Sequence, residues 1–514
     1  MTKRTAAVLF IALAAVYLAA VNGSWAVRPD SALYLGLGRS LAEGRGMEFN
    51  GSQYWAIPPV APMLIAACRM VHPGYFLINL MMHLAALAAV AVAVATIREL
   101  ARDLPEGMQK HLPLAAALVI GLSAGLFVHA SLVLTDVPFL LLISIAIYAF
   151  VRRGRDHWRW YFLGAAALLL AGWTRLPGVI FAAGLVPAAL LDFRREGYCR
   201  RALAAAGAGA IVLAGFLAWF FLVRTRGDPG TIDYAAVVTG ERFNIFSPSK
   251  WPALLEAAAN FPAALAGTIT DQKLEAWHFN LVPTAVLLVG VWTLLRHRQL
   301  VVLAPLVLYV GFLIVLDPTS VCERYFLPVM PMLVYGLLVG AQTLRLALEG
   351  LARRPAWPGW AMTIVVACGV GISIPKIARE IYWMRHPQFY AVYDGGKWSD
   401  FRNVSAVLRE RGRPEADAVV ASQPTIVHHL SGLRMAAGPP LWPREGPRAY
   451  KSLPPKEFAQ AVARGPWRFV VMPADTPDWS EPMMKAIEES GAFRPAEVFG
   501  RLVLFERRPE ARVD

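Results

Sequence analysis

Long apolar stretches separated by short charged segments dominate residues 5–378. A helix needs about 20 predominantly apolar residues to cross a bilayer, and by this measure the sequence predicts about eleven transmembrane helices. Their approximate ranges are 5–23, 74–97, 112–130, 132–151, 159–174, 176–192, 202–223, 279–295, 299–316, 325–345 and 360–378. A shorter apolar stretch at 58–71 is interrupted by prolines and predicts an interfacial or re-entrant segment.

The first apolar stretch follows Lys3 and Arg4 and runs from about Ala6 to Val21. It is longer than the apolar part of a signal peptide, which has roughly 7–15 residues, and many further spans follow it. We therefore expect it to stay as the first transmembrane helix.

Loop charges predict the orientation, because Lys and Arg concentrate in short cytoplasmic loops. With the N-terminus in the cytoplasm, the arginine-rich loops all fall on the cytoplasmic side. These loops contain Arg98, Arg152, Arg153, Arg155, Arg194, Arg195, Arg200, Arg201, Arg296, Arg298, Arg353 and Arg354. Two long loops, 24–73 and 224–277, then lie outside. The prediction is a multi-pass membrane protein with residues 1–379 as its transmembrane domain.

Residues 380–514 have a different pattern, with more charge and short Val-rich runs bounded by Asp, Gly and Pro. Strands are predicted at 417–422, 469–472 and 502–507, and helices at 398–411 and 480–490. The tail is therefore predicted to be a soluble α/β domain on the outer, periplasmic or extracellular face.

Composition agrees with a polytopic membrane protein, since 57% of the 514 residues are hydrophobic and 17% are charged. Soluble domains contain roughly 45–50% apolar residues. The net charge of +14 comes mostly from arginines in short loops, which indicates topology signals and lipid headgroup contacts and no nucleic-acid partner. The four cysteines are scattered and predict neither a disulfide framework nor a metal site.

Several ionisable residues fall at the same predicted outer membrane face. They are Asp30, Asp136, Arg175, Glu323 and Arg324. Such groups are costly near a bilayer unless paired, and they often mark function. Each also has a plain structural interpretation. Asp30 suits the N-cap of a surface helix, Asp136 suits the N-cap of a helix beginning at Pro138, Arg175 suits a snorkelling anchor, and Glu323 and Arg324 suit a local pair.

Taken together, these residue types suggest group transfer from a phosphate-activated lipid. The guanidinium of arginine recognises phosphate and stays charged in a partly dry site. A carboxylate can take a proton from an acceptor hydroxyl or amine, which contributes a factor of roughly 10²–10⁴ in rate. Two carboxylates can alternatively hold a divalent cation against phosphate.

Several motifs also resemble those of GT-C membrane glycosyltransferases. The resemblance is to the family-39-like branch with lipid A aminoarabinose transferases and protein O-mannosyltransferases. The motifs are PDSALYLGLGRSLAEGRG (29–46), QYWAIPPVAPMLIA (53–66), TDVPF (135–139), WTRLPG (173–178) and ERYFLPVMP (323–331), with ADAVVASQPTIVHHLSGLRM (416–435) in the tail. Their order follows that of the family along nearly the whole chain.

The resemblance implies an inverting-type transfer from a polyprenyl-phosphate sugar to a lipid, glycan or protein acceptor. It implies that Asp30 is the acceptor-activating base and that Asp136 is a second catalytic acid. Arg175 and Arg324 would contact the donor phosphate, with Tyr34, Glu323 and Tyr325 in support.

One motif departs from that branch, which typically carries Glu-Lys before Pro-Pro where this chain has Ala56 and Ile57. No metal or other cofactor is therefore assigned, although a divalent cation stays open. Two other functions also stay open: a lipid-linked glycan transporter or flippase, and a glycan ligase. The charges gather at one face and no internal repeat is visible, which favours the enzyme over the transporter. His428 and His429 in the tail are expected to have packing or surface roles.

Overall fold

The computed structural model describes residues 3–511 apart from 27, 56, 110, 153–156, 196–198, 227–250, 272–276, 317–322, 353–359, 387–396, 415–416, 436–453 and 475–479. Within these residues, the chain up to Arg385 is almost entirely helical, and helices alternate with strands after Trp398. We call residues 3–386 the membrane half and residues 397–511 the tail domain.

The membrane half contains the following described elements. They are α1 (Lys3–Leu18), α2 (Pro29–Ala42), α3 (Val60–Val71), α4 (Phe76–Ala101), α5 (Glu106–Gln109), α6 (Leu112–Gly121), α7 (Ala124–Ser131), α8 (Asp136–Val151), α9 (His157–Gly172), α10 (Gly178–Arg195), α11 (Cys199–Arg226), α12 (Trp251–Thr270), α13 (Trp277–Arg296), α14 (Leu300–Leu316), α15 (Glu323–Phe326), a 3₁₀ turn (Leu327–Val329), α16 (Met330–Ala352) and α17 (Trp360–Arg385), with a small antiparallel hairpin of β1 (Glu48–Phe49) and β2 (Ser52–Gln53).

Among the described residues, three helical segments are long and apolar enough to cross a membrane alone. They are Phe76–Ala101, Arg324–Gly350 and Met362–Arg385. The bent pair of α6 and α7 meets the same criterion together, and eight further apolar helices have 10–17 residues. A mostly helical protein with apolar helices is thus confirmed, while the number of about eleven spans stays a prediction.

One large apolar cluster runs through the membrane half and includes Phe127, Phe139 and Tyr309. Small residues allow some of its helices to approach closely. A Cβ on Gly290 of α13 would lie 1.8 Å from the carbonyl oxygen of Gly336 in α16. Close helix contact through glycine is typical of membrane proteins, where packing holds the helices together.

Helix α12 corrects the prediction that residues 224–277 are an outer loop. Its residues Leu265 and Ile269 belong to the apolar cluster of the membrane half. The sequence did not indicate a helix here because Glu256 and the internal Pro262 interrupt the apolar run. Residues 227–250 of the same predicted loop lie outside the described residues.

The tail domain is an α/β structure, as predicted. Its elements are α18 (Trp398–Arg411), β3 (Ala418–Ala421), α19 (Pro424–Ser431), β4 (Arg434–Met435), α20 (Pro455–Arg464), β5 (Trp467–Pro473), α21 (Ser480–Glu489), β6 (Phe493–Phe499), β7 (Leu502–Arg507) and a 3₁₀ turn (Pro509–Ala511). The described strands form one sheet in the order β4-β3-β5-β7-β6. Strand β3 is parallel to β4 and β5, and β7 is antiparallel to β5 and β6.

Side chains alternate across this sheet, as the two-residue period of a strand requires. In β5, Phe469 and Val471 face one apolar cluster, and Val470 and Met472 face another. The first cluster also contains Trp25 and residues of α2 and α3, so one side of the tail domain packs on the first loop of the membrane half.

Candidate active site

Asp30 lies in the first turn of α2, where its side chain is 53% exposed. The helix begins at Pro29, whose fixed φ suits the first helical position. The N-cap is Arg28, so the predicted capping role of Asp30 is wrong. A carboxylate in the first turn still interacts favourably with the helix dipole. Asp30 is thus firmly placed by the backbone while its carboxylate stays accessible.

Asp136 is the first residue of α8, directly after the tight connection from α7. Val133 in this connection has a φ of +23°, which a β-branched residue rarely adopts. Such a conformation persists only where the surroundings hold it, and here the neighbouring side chains are buried. Because α8 begins at Asp136 with Thr135 as N-cap, Asp136 does not cap a helix beginning at Pro138.

Asp136, Arg175, Arg324 and Asp30 form one continuous chain of ion pairs. Arg175 donates from Nη1 to Asp136 Oδ1. Arg324 donates from Nε to Asp136 Oδ2 at 3.1 Å and from Nη1 to Asp30 Oδ2 at 2.9 Å. The structure therefore brings together the four residues that the sequence singled out, and the roles assigned to them stay predictions.

Accessibility increases from Asp136 through Arg324 to Asp30. The Asp136 and Arg175 side chains are 0% and 14% exposed, whereas those of Arg324 and Asp30 are 26% and 53% exposed. Both oxygens of Asp136 are occupied by arginine, so this buried carboxylate orients the two guanidinium groups. An incoming ligand would instead meet Arg324 and Asp30.

Tyr34 and Tyr325 lie beside the ion pairs, and the supporting roles assigned to them stay predictions. Tyr34 hydrogen-bonds with Thr135, and burial, with a smaller contribution from the charge of Asp30, raises its pKa to about 12. It is therefore a neutral hydroxyl at physiological pH. The Arg175 guanidinium lies 5.6 Å from the centre of the Tyr325 ring, within the range of a cation–π contact. Glu323 begins α15, but its side chain lies outside the described residues.

Arg175 is held in the turn between α9 and α10. Its backbone N–H donates to Ala171 O at 2.9 Å, and the turn closes where Gly178 meets the end of α9. A Cβ on Gly178 would lie 2.5 Å from the backbone nitrogen of Gly172, so only glycine fits this approach. The predicted role of a freely snorkelling anchor does not fit an arginine held this way.

Sequence reasoning missed three neighbours of the ion pairs. His129 is buried in α7, close enough to Asp136 for the two side chains to interact electrostatically. Thr135 bonds Tyr34, and the Phe139 ring centre lies 6.0 Å from the Arg175 guanidinium. Phe139 is three residues after Asp136, so helical spacing alone would have placed it on the same face.

Other predicted candidates lie elsewhere. His428 and His429 are in α19 of the tail domain, where His429 is buried and His428 is half-buried, in agreement with the packing role expected for them. The sequence also offers weaker polar candidates in the second outer loop, and these lie outside the described residues: Asp228, Asp233, Glu241 and Arg242. No group of three or more His, Cys, Asp or Glu side chains suited to a metal ion occurs in the part of the chain that the structure describes.

No protein-family model and no curated protein matches this chain. Among solved structures, it is similar to ArnT from Cupriavidus metallidurans bound to undecaprenyl phosphate, with 15% identity, a TM-score of 0.61 and coverage of 100% of both chains. It is also similar to the oligosaccharyltransferase AglB from Archaeoglobus fulgidus in complex with an inhibitory peptide and a dolichol-phosphate. Here the identity is 13% and the TM-score 0.54, with 98% of this chain and 74% of the other covered. The chain therefore has the fold of GT-C membrane proteins, as its motifs predicted.

Proposed function

We propose that this protein is an integral-membrane glycosyltransferase of the GT-C type. It transfers a sugar from a polyprenyl-phosphate-linked donor to a lipid, glycan or protein acceptor. The reaction takes place on the periplasmic face of the bacterial inner membrane. About eleven transmembrane helices, a cytoplasmic N-terminus and a periplasmic tail domain belong to this proposal.

The observation that carries the proposal is the chain of ion pairs with its accessible end at Asp30. Two guanidinium groups are oriented by one fully buried carboxylate, next to a second carboxylate that is 53% exposed. This arrangement places a potential base beside two potential phosphate ligands. The similarity of the fold to ArnT with undecaprenyl phosphate and to AglB with a dolichol-phosphate supports the donor class.

In the proposed reaction, Asp30 accepts the proton from the acceptor hydroxyl or amine. The acceptor atom forms a bond with the anomeric carbon of the sugar as the bond from that carbon to the phosphate oxygen breaks. The electron pair of the broken bond stays on the polyprenyl phosphate. Arg324 and Arg175 stabilise this negative charge, because arginine matches the geometry of phosphate oxygens.

Asp136 acts in this scheme through the arginines and not as a proton acceptor. Both of its oxygens bind guanidinium groups, and it is 0% exposed. Its assigned role is to position Arg175 and Arg324. Tyr34 stays neutral near Asp30, because burial raises its pKa to about 12. Its hydroxyl hydrogen-bonds with Thr135.

The test uses the purified full chain with polyprenyl-phosphate sugars and a bacterial envelope extract as acceptor. We expect sugar to appear on an extract component together with free polyprenyl phosphate. The control places the protein in vesicles that contain the lipid-linked sugar but no acceptor. Movement of the intact lipid-linked sugar across these vesicles, without transfer to the extract, would contradict the proposal and support a flippase.

A further inference from the structure

A cavity of about 800 Å³ lies between α2, α3 and the tail domain. Five arginines line it, and the only acidic side chain among the described lining residues is Glu48. The arginines are Arg39, Arg45, Arg69, Arg409 and Arg434. This size suits a small ligand, since ligand pockets commonly measure roughly 300–1,000 Å³. The cavity is therefore strongly basic and large enough for a headgroup.

Among the described residues, only two of these arginines pair with neighbouring acids. Arg39 and Arg45 both pair with Glu43, the former at 2.8 Å. Within the described ranges, Arg69, Arg409 and Arg434 form no salt bridge. An arginine that faces a cavity without a carboxylate retains its capacity to bind an anion, most favourably one that takes two parallel N–H bonds.

The two histidines of the cavity supply polar atoms but little charge. His429 Nε2 lies 3.1 Å from the Tyr75 hydroxyl, and the His428 ring packs edge-on against Phe49. Burial lowers the pKa of both histidines, that of His429 to about 3. The positive charge of the cavity is therefore that of the arginines and does not depend on pH in the physiological range.

This cavity is separate from the candidate active site. Arg39 follows Asp30 by nine residues, which places the two side chains about 180° apart around α2. The helix thus stands between the ion-paired site and the basic cavity.

The position of Arg69 indicates the source of the ligand. It is followed on α3 by Met70 and Val71, whose side chains are 70% and 79% exposed. An amphipathic helix with an exposed apolar face and a basic residue is typical of contact with a bilayer surface. A lipid headgroup would reach Arg69 from this side while its chains contact Met70 and Val71.

We propose that the cavity binds the phosphate group of an anionic lipid through Arg69, Arg409 and Arg434. This site is independent of the proposed transfer reaction and holds a phosphate distinct from that of the donor. Its chemistry is that of a phosphate monoester, which a free phosphate compound shares with a lipid headgroup.

The test is isothermal titration calorimetry on the detergent-purified full chain with dihexanoyl phosphatidic acid. An Arg324→Gln background is used so that phosphate binding at the candidate active site does not contribute. We expect saturable binding that weakens about ten-fold in Arg69→Gln and in Arg434→Gln, since a hydrogen bond to a charged group contributes about that much. Arg494→Gln, an exposed arginine of β6 outside the cavity, is the matched control and should bind like the background.

Two further titrants identify the source of the phosphate. Weaker binding of inorganic phosphate than of phosphatidic acid supports a lipid headgroup, and equal binding would contradict the lipid and indicate a free phosphate compound at the same site. Dihexanoyl phosphatidylcholine should bind at least ten-fold more weakly than phosphatidic acid. Binding that is unchanged in an Arg69→Gln, Arg434→Gln double variant with an unaltered melting temperature would overturn the proposal, as would no saturable binding at all.

Discussion

The two sides of α2 differ in how their arginines are balanced. On the side of Asp30, Arg175 and Arg324 are each held by a carboxylate, and the charges of two acids and two arginines cancel. On the side of Arg39, the described residues that line the cavity include five arginines and one acid.

The difference shows that ion pairing fixes the orientation of an arginine, whereas an unpaired arginine keeps its charge free to attract an anion. A buried carboxylate that binds two arginines fixes their geometry before a ligand arrives, and such preorganisation favours catalysis. Unpaired arginines have less fixed geometry, but they create a positive potential that attracts anions. Changes to the two sides should therefore affect different properties of the protein.

The largest effect on stability is expected on the paired side, from Asp136→Asn. This change removes one negative charge and leaves buried Arg175 without its carboxylate partner. The other acid of the site, Asp30, contacts Arg324 instead. Breaking a buried ion pair in this way costs about 3–5 kcal/mol. We expect a large fall in melting temperature and in the yield of folded protein, measured by differential scanning fluorimetry in detergent.

The control for this change is a pair on the surface of the tail domain. Arg411 and Glu497 are 3.0 Å apart, and their side chains are 41% and 42% exposed. Glu497→Gln should change stability by less than about 1 kcal/mol, because exposed pairs contribute little. An Asp136→Asn protein as stable as Glu497→Gln would show that the buried carboxylate does not hold the arginines.

A smaller effect, on donor affinity, is expected for Arg324→Gln. This side chain is 26% exposed and contacts both acids, so its loss removes a phosphate ligand and one partner of Asp136. Since a hydrogen bond to a charged group contributes about 1.5–3 kcal/mol, the KM for the lipid-linked donor should rise by roughly 10–100-fold. Arg69→Gln on the cavity side is the matched variant and should leave this KM unchanged. An equal rise in KM for the two variants would mean that both sides of α2 belong to one site.

The smallest expected effect is a pH dependence of stability that arises from buried His429 of the tail domain, on the cavity side of α2. Burial lowers the pKa of His429 from the ordinary 6.5 to about 3, so the folded state binds its proton less readily than the unfolded state. The stability that neutral, buried His429 contributes is complete above pH 6.5 and declines as pH falls towards 3. Between pH 6.5 and pH 5 the loss is up to about 2 kcal/mol.

Thermal unfolding at pH 7 and pH 5 measures this loss. His429→Gln should be less sensitive to pH than the wild type, whereas His72→Gln, at an exposed position, should follow the wild type. The same pH dependence in wild type and His429→Gln would mean that His429 is not buried against Trp25 and Tyr75.

Elements in which apolar residues recur at a clear helical or strand spacing were predictable from the sequence. The ranges of α18, β3 and β7 follow those expected almost residue by residue, because alternating or helical apolar spacing reports directly on a buried face. Strand β6 was not predicted. It contains Pro495, lies at the edge of the sheet and exposes most of its residues, so no alternating apolar pattern marks it.

The two sides of α2 also differed in predictability. Asp30, Asp136, Arg175 and Arg324 each stand next to an apolar segment, and the loop charges predicted that they share one membrane face. The basic cavity combines Arg39 and Arg69 with Arg409 and Arg434, which are more than 300 positions away in the sequence. No local pattern predicts how the tail domain docks on α2, so this cavity became visible only in the folded chain.

The most direct test of the account is the turnover of Asp30→Asn with a polyprenyl-phosphate sugar and a transferable acceptor. Asp30 is exposed, so the variant should fold with a melting temperature close to that of the wild type. Because the general base is lost, kcat should fall by roughly 10²–10⁴ while donor binding changes little. A folded Asp30→Asn protein with full turnover would contradict the assignment of this side of α2 as the site of sugar transfer.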